Sequence, residues 1–141
     1  MSSFFHLQGL ARCFAAVAAS ASAAPAFAMP TLHCQVGQAG EVLSVDVRPG
    51  ANPYDFKAVD IRGNFRFRAV VIGDERTIEY IKLYTYYQTR QQPVLMHQVK
   101  YLAPAMPGVG RTVPLTGVVQ LFSPRLGREI QYSCTLVEAG T

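Results

Sequence analysis

The sequence predicts an all-β protein, a small antiparallel β-sandwich of about seven strands with one disulfide. Three observations predict this fold. Apolar and polar residues mostly alternate with a period of two, which is typical of strands that bury one side. Clusters of Gly, Pro, Asn and Asp separate the alternating runs, as turns require. Two cysteines stand near the two ends of the expected mature chain. A small β-barrel is the alternative, since short antiparallel strands build either architecture.

The first 28 residues predict a signal peptide rather than part of the fold. A polar stretch that ends in one Arg precedes a short apolar run, and nine of the last fifteen residues of this segment are alanine. Ala26 and Ala28 place small residues three and one before a cleavage site ahead of Met29. We therefore expect residues 29–141 to form a single β domain in the periplasm of a bacterium or outside the cell.

The charge and hydropathy of the expected mature chain limit its partners. Removal of 28 of the 141 residues leaves 113, and because the leader contains one Arg and no acid, the net charge falls from +4 to +3. The remaining basic residues are scattered singly, whereas nucleic-acid binding favours a basic patch or arm, so no nucleic-acid partner is predicted. No apolar run in this part reaches the 18 residues that a spanning helix needs, so no membrane span is expected.

Cys34 and Cys134 remain after cleavage, and export would bring them to a compartment where thiols oxidise. We expect them to form a disulfide. A bond between positions this far apart removes about 4.7 kcal/mol of conformational freedom from the unfolded chain in the entropic description. Their spacing is not that of a metal site.

The first and last predicted strands have the same inward alternation. Leu32, Cys34 and Val36 alternate near the start, and Ile130, Tyr132, Cys134 and Leu136 alternate near the end, so both cysteines are expected to point inward. The disulfide is then expected to join either the first strand to the last or one sheet to the other. The seven predicted strands are 32–36, 41–48, 64–72, 77–88, 94–102, 112–122 and 128–137.

Two further expectations concern the middle of the chain. The segment 54–61 has an ambiguous pattern that suits either an extra strand or one helical turn. A hairpin at Gly73 to Arg76 would place Ile72 opposite Thr77 and fix the register of the two strands around it. The side with more apolar surface would then be the core side. Its predicted members are Phe65, Phe67, Ala69, Val71, Ile78, Tyr80, Lys82 and Tyr84.

The next hairpin offers two registers, and the one that pairs Tyr86 with Leu95 buries more apolar surface. It would add Leu95, His97, Val99 and Tyr101 to the same core side. The opposite side would then be half apolar and half basic. Its predicted members are Arg66, Arg68, Ile81, Leu83, Tyr87, Val94, Met96 and Lys100.

A solvated sheet face should be more polar than this opposite side. Either Phe56, Val59 and Ile61 of the ambiguous segment cover it, or it binds a partner. The residues predicted to bind such a partner are Arg66, Arg68, Leu83, Tyr87 and Met96.

No residue pattern indicates catalysis or a metal, so the chain is not predicted to be an enzyme. Its serines lack the Gly-x-Ser-x-Gly elbow of a nucleophile, and Asp74 and Glu75 fall in a predicted tight turn. The adjacent Met96 and His97 would point to opposite sides of a strand, so they would not bind one ion. We interpret His97 as a partly buried core histidine beside Tyr84, and we expect no metal and no cofactor.

The sequence alone therefore predicts an exported, non-enzymatic module that binds a protein or another component of the cell envelope. The alternative function is a periplasmic carrier that holds a small apolar ligand between the sheets, near Tyr84 and His97.

Overall fold

The structure is a computed structural model that describes residues 29–38, 40–123 and 127–138. It consists of two antiparallel sheets that are not closed into a barrel, and no α-helix occurs in these three ranges. The predicted all-β sandwich is therefore confirmed, and the barrel alternative is not observed. The predicted signal peptide, residues 1–28, lies outside the described residues.

The first sheet contains both ends of the described chain. Its strand order is β2, β1, β9, β7, and β8 also pairs with β9, beside a different part of that strand from β7. The strands are β1 (Pro30–Gln38), β2 (Glu41–Val47), β7 (Thr112–Pro114), β8 (Val119–Phe122) and β9 (Glu129–Glu138).

The second sheet is formed by the middle of the chain, in the order β3, β4, β5, β6. A single 3-10 turn, Pro53–Asp55, precedes it, with Asn52 as its N-cap. The strands are β3 (Val59–Ile61), β4 (Phe65–Gly73), β5 (Ile78–Gln88) and β6 (Pro93–Leu102).

Nine strands are observed where about seven were predicted, for two local reasons. The predicted segment 112–122 is divided into β7 and β8, because the regular pairing with β9 is interrupted at 115–118, where the amides of both Leu115 and Thr116 donate to the Cys134 carbonyl. The ambiguous segment 54–61 contains parts of both alternatives, since it begins within the 3-10 turn and ends in the short strand β3.

The predicted disulfide between Cys34 and Cys134 is confirmed. The two residues are direct partners in the antiparallel pairing of β1 with β9, and both are fully buried. The bond therefore joins the first strand to the last within one sheet, rather than one sheet to the other. A disulfide is consistent with an extracellular or periplasmic location.

The core lies between the inner sides of the two sheets. Phe67 of the second sheet packs against Tyr132 of the first, with ring centroids 5.2 Å apart. Full burial of one large apolar side chain contributes about 1.5–3 kcal/mol, so this layer is the main source of stability. Its largest fully buried side chains are Tyr132, Phe65, Phe67, Leu32, Ile81, Leu83, Ile130 and Leu136.

The predicted register of β4 with β5 is wrong. Ile72 lies opposite Tyr80 rather than Thr77, so β5 is displaced by three residues. Because side chains alternate along a strand, an odd displacement exchanges its two faces. Tyr80, Lys82 and Tyr84 were predicted to face the core and instead face outward.

The turn between these strands explains the displacement. The chain reverses between Asp74 and Thr77, where the Asp74 amide donates to the Thr77 carbonyl at 2.8 Å. The Asp74 carboxylate accepts from the amides of Arg76 and Thr77 at 2.8 and 2.9 Å, and these bonds lower its pKa. Gly73 then forms an irregularity with φ of 152°, which lets Ile78 and Glu79 fit beside it before regular pairing begins.

The register of β5 with β6 was partly predicted. Tyr86 lies opposite Leu95 as expected, but a bulge after Thr85 shifts the pairing, so that Thr85 lies opposite His97. Val99 and Tyr101 pack against the core as predicted. Leu95, by contrast, lies beside Tyr86 on the outer side and is 48% exposed.

Candidate functional site

The five residues predicted to form one binding face do not share a face. Leu83 is 1% exposed within the core, and Tyr87 packs edge-on against Phe65 at 5.3 Å between ring centroids. Met96, at the bulge in β6, is partly buried and also packs against the core. Arg66 and Arg68 are on the outer side of β4. The prediction of a single Arg66/Arg68/Leu83/Tyr87/Met96 surface is therefore wrong, and its cause is the displaced register of β5.

The same displacement places three tyrosines on the outer side of the second sheet. They alternate along β5, with arginines on β4 beside them and lysines on β5 and β6. We call this surface the tyrosine–cation face. Its residues are Arg66, Arg68, Tyr80, Lys82, Tyr84, Tyr86 and Lys100.

Sequence reasoning missed these tyrosines, although a signal for them was present. The predicted register placed Lys82 opposite Phe67 in the core, where a Lys is almost never fully buried without a partner. A register that exchanged the two faces of β5 would have buried Ile81 and Leu83 and turned Lys82 outward, as observed.

The pairing register arranges the arginines and the tyrosines in rows across the strands. Arg66 lies opposite Tyr86, and Arg68 lies opposite Tyr84. The rings of Tyr84 and Tyr86 are stacked with a 12° angle between planes and 6.1 Å between centroids. The guanidinium carbon of Arg68 lies 5.7 Å from the centre of the Tyr84 ring, within the range of a cation–π contact.

The lysines are grouped around the remaining tyrosine. Lys82 lies opposite Lys100, and their ammonium groups are 5.5 and 4.7 Å from the centre of the Tyr80 ring. Two like charges side by side in a sheet are unfavourable in isolation. The electron-rich ring face of Tyr80 offsets part of this repulsion.

The segment that precedes β3 crosses one end of the outer side of the second sheet and holds the Arg68 side chain in place. Arg68 Nε donates to the Phe56 carbonyl at 2.8 Å, and Nη2 donates to the Pro53 carbonyl at 2.7 Å. Further along, Gly50 exchanges backbone hydrogen bonds with the edge of β4 near Val71. Of the residues predicted to cover this side, Phe56 lies here, whereas Val59 and Ile61 belong to β3.

The tyrosine–cation face has a net positive charge. Arg66 Nε lies 2.7 Å from Asp60 Oδ1, but its N–H does not point at the oxygen, so the contact is an ion pair without a good hydrogen bond. Within the described residues, Arg68, Lys82 and Lys100 have no carboxylate within ion-pair distance. Among these contacts, the four cationic side chains of the face are therefore paired with a single exposed carboxylate, that of Asp60.

An open groove of about 400 Å³ lies where the crossing chain meets this face. It combines two guanidinium groups with aromatic and apolar walls, and one of these walls, Tyr54, is 87% exposed. The lining residues are Tyr54, Phe56, Ala58, Arg66, Arg68, Tyr86 and Pro93.

The outer side of the first sheet has a different composition. It combines neutral polar side chains with two exposed apolar ones, since Val42 is 64% exposed and Phe122 is 60% exposed. A short side-chain contact crosses it, between His33 Nδ1 and Asp46 Oδ1 at 2.6 Å. The neutral residues are Thr31, Gln35, Ser44, Gln131, Ser133 and Thr135.

His97 does not share a site with Tyr84. It lies beside Thr85 on the inner side of the sheet, with its ring 6.2 Å from that of Tyr132, whereas Tyr84 is on the outer side. The partly buried position predicted for His97 is observed, but the predicted neighbour is wrong. A ligand between the sheets would contact His97 and not Tyr84.

In the part of the chain that the structure covers, no three His, Cys, Asp or Glu side chains are grouped as metal ligands would be. No helix there is long and apolar enough to cross a bilayer. Comparison of the chain with protein-family models, with curated proteins and with solved structures gave no match.

Proposed function

We propose that this protein is an exported, non-enzymatic binding module that holds an anionic component of the cell envelope on its tyrosine–cation face. The observation that carries the proposal is the composition of this face. Four cations and three partly exposed tyrosines are concentrated on the outer side of the second sheet, while the outer side of the first sheet has no comparable group of cations among the described residues.

The charge of the face favours an anionic partner. Uncompensated cations close together raise the local potential, which steers anions toward the surface and increases the rate of association. The expected mature chain has a net charge of only +3, from twelve basic and nine acidic residues, so the concentration of four of its cations on this one face is informative.

The side chains of the face are also held in fixed positions, which favours binding. Tyr and Arg are enriched at the energetic centres of interfaces, where they supply large area together with polar groups. Here Arg68 is held by two carbonyl groups, and Tyr84 and Tyr86 are stacked on each other. Side chains that are already fixed lose less conformational entropy when a partner binds.

Export is supported by two features. The buried disulfide between Cys34 and Cys134 suits an oxidising compartment, and residues 1–28 have the pattern of a secretory signal. Mass spectrometry of the protein from its native host should find a chain that begins at Met29 and contains the disulfide. An intact leader or two free thiols would contradict this part of the proposal.

A charge-reversal experiment tests the binding face. Immobilised wild-type protein should retain material from an envelope extract of the native host, and a Lys82→Glu, Lys100→Glu variant should retain much less. Neither lysine makes a hydrogen bond within the described residues, so the fold should survive, and circular dichroism checks it. An Arg111→Glu, Arg128→Glu variant, altered beside β7 and β9 in the other sheet, changes the net charge by the same amount, so it is the matched control and should behave as the wild type. Equal recovery by all three proteins would contradict the proposal.

A further inference from the structure

The dimensions of the tyrosine–cation face indicate the shape of the partner. The three strands that carry it span about 10 Å across, and the six-residue rise from Tyr80 to Tyr86 spans about 20 Å. The face is therefore about twice as long as it is wide. This elongated shape suits a linear chain that lies along β5.

The tyrosines offer hydroxyl groups more than ring faces. Tyr84 is stacked on Tyr86 and has Arg68 near its ring, and Tyr80 has two ammonium groups over its ring. The ring faces of Tyr80 and Tyr84 are therefore largely occupied, and aromatic surface is left exposed mainly in the groove. This is less than a run of stacked nucleobases needs, although stacking is the main contact in single-strand binding. None of the three phenol groups has a hydrogen-bond partner among the residues described, so all three hydroxyls are available to a ligand rich in hydroxyl and carboxylate groups.

The position of β5 disfavours an extended peptide as the ligand. Peptides that bind to sheets usually add a strand at an edge, where backbone groups are free. β5 is paired on both sides, with β4 and with β6, so its backbone groups are already used. A peptide on this face would gain only side-chain contacts, whereas a sugar chain carries hydroxyl and carboxylate groups along its whole length and needs no free backbone groups from β5.

The size of the groove and the guanidinium groups that line it indicate the size and the charge of each repeating unit of a linear partner. Its volume of about 400 Å³ is at the small end of the range for compact ligands, which suits one sugar ring. Arg68 uses two of its five N–H donors on the Pro53 and Phe56 carbonyls, which leaves three donors in a fixed position. A fixed guanidinium is well suited to bind a planar carboxylate with two parallel hydrogen bonds.

We propose that the partner is a linear polysaccharide of carboxylated sugars that lies along β5. One sugar ring occupies the groove, where it packs against Tyr86 and its carboxylate binds Arg66 and Arg68. Further carboxylates lie near Lys82 and Lys100, and hydroxyl groups along the chain bond the tyrosine hydroxyls. This inference rests on the proposed function, because it names the chemical class of the anionic component.

Calorimetric titration with polygalacturonate oligosaccharides tests this inference. The wild-type protein should bind them at least about tenfold more tightly than methyl-esterified galacturonan, polyglutamate, polyphosphate or oligo-dT at equal salt. Arg66→Gln and Lys100→Gln should each weaken binding by about tenfold, and Arg128→Gln should leave it unchanged. Tyr84→Phe should also weaken binding, because it removes a hydroxyl and keeps the ring and the charges.

Three results would overturn the inference. They are no binding of polygalacturonate, equal binding of any of the other polyanions, and equal binding by Tyr84→Phe. If polygalacturonate fails while the Lys82→Glu, Lys100→Glu variant still loses its envelope material, the proposed function stands and the sugar class is wrong. Lys100 makes no hydrogen bond in the described structure, so its variant keeps the test valid if Arg66→Gln does not fold.

Discussion

Tyr132 is the largest side chain in the core, only 2% exposed, and it lies between Phe67 and His97. Burial, which disfavours the charged phenolate, and secondarily the nearby phenol of Tyr101, raise the pKa of Tyr132 to about 12. The folded protein therefore retains a proton at a pH where the unfolded chain, with an ordinary tyrosine pKa near 10, has lost it.

This raised pKa predicts alkaline destabilisation. Between about pH 10 and pH 12 the folded state binds more protons than the unfolded state, so the free energy of unfolding should fall as pH rises. One proton sets a ceiling of about 1.4 kcal/mol per pH unit. Urea unfolding at several pH values measures the slope, and Tyr132→Phe should reduce it. A slope that is unchanged in Tyr132→Phe would contradict the assignment.

Gly73 allows a second prediction at the residue scale. Its φ of 152° is rarely adopted by other residues, and an added Cβ would lie 2.2 Å from the Thr77 carbonyl oxygen. We expect Gly73→Ala to lower the free energy of unfolding by about 1–3 kcal/mol, measured by urea unfolding. Gly117→Ala is the control, since an added Cβ there meets nothing within 4 Å. Equal stability of the two variants would contradict the described turn.

The hairpin of β4 and β5 is the element that decides which residues reach the surface. The alternation of apolar residues along each strand was sufficient to predict the positions of six of the strands, because alternation is a local property. The register was not predictable in the same way. The register depends on how many residues lie between the last pair and the first pair of the two strands. The irregularity at Gly73 changes that number without any change in the apolar–polar alternation of β4 or β5.

The candidate site was therefore predicted only in part. Arg66 and Arg68 were correctly placed outside, because the core side of β4 is unambiguous from Phe65, Phe67 and Val71. Leu83 and Tyr87 were placed outside by the wrong register. The disulfide was predictable for a different reason, since the two cysteines lie in well-patterned terminal strands.

The pairing of β5 with β6 contains an unfavourable contact that can be measured. Thr85 Oγ1 and His97 Nδ1 are both buried without a hydrogen-bond partner, opposite each other across the two strands. Thr85→Val removes an unsatisfied hydroxyl with almost no change in shape. We expect it to raise the free energy of unfolding by up to about 1 kcal/mol.

Thr116→Val is the matched control for this effect. Thr116 Oγ1 accepts a hydrogen bond from the Cys134 amide at 2.9 Å, so the same replacement should here lower stability by about 1 kcal/mol or more. Thermal or urea unfolding of both variants makes the comparison. Destabilisation of similar size in both would show that Thr85 is satisfied and that the described packing around it is wrong.

At the scale of the whole molecule, the disulfide joins two strands that are far apart in the chain, with a sequence separation of 100 residues. Its main effect is on the unfolded chain, where it removes loop-closure freedom. We expect a Cys34→Ala, Cys134→Ala variant to be about 2–5 kcal/mol less stable than the wild type in urea unfolding. No difference between the two proteins would mean that the bond does not form in solution.

The two outer sides of the sandwich differ in composition, and the cations and tyrosines described above lie together on only one of them, the outer side of the second sheet. The most direct test of the account is to map contacts by NMR chemical shifts, with the envelope fraction that the immobilised wild type retains added to ¹⁵N-labelled, oxidised protein. We expect the shifted amides to cluster in β4, β5 and β6 around Arg68, Lys82 and Tyr84, while the amides of β1 and β2 remain unchanged. Shifts confined to β1, β2 and β9, or the absence of shifts, would contradict it.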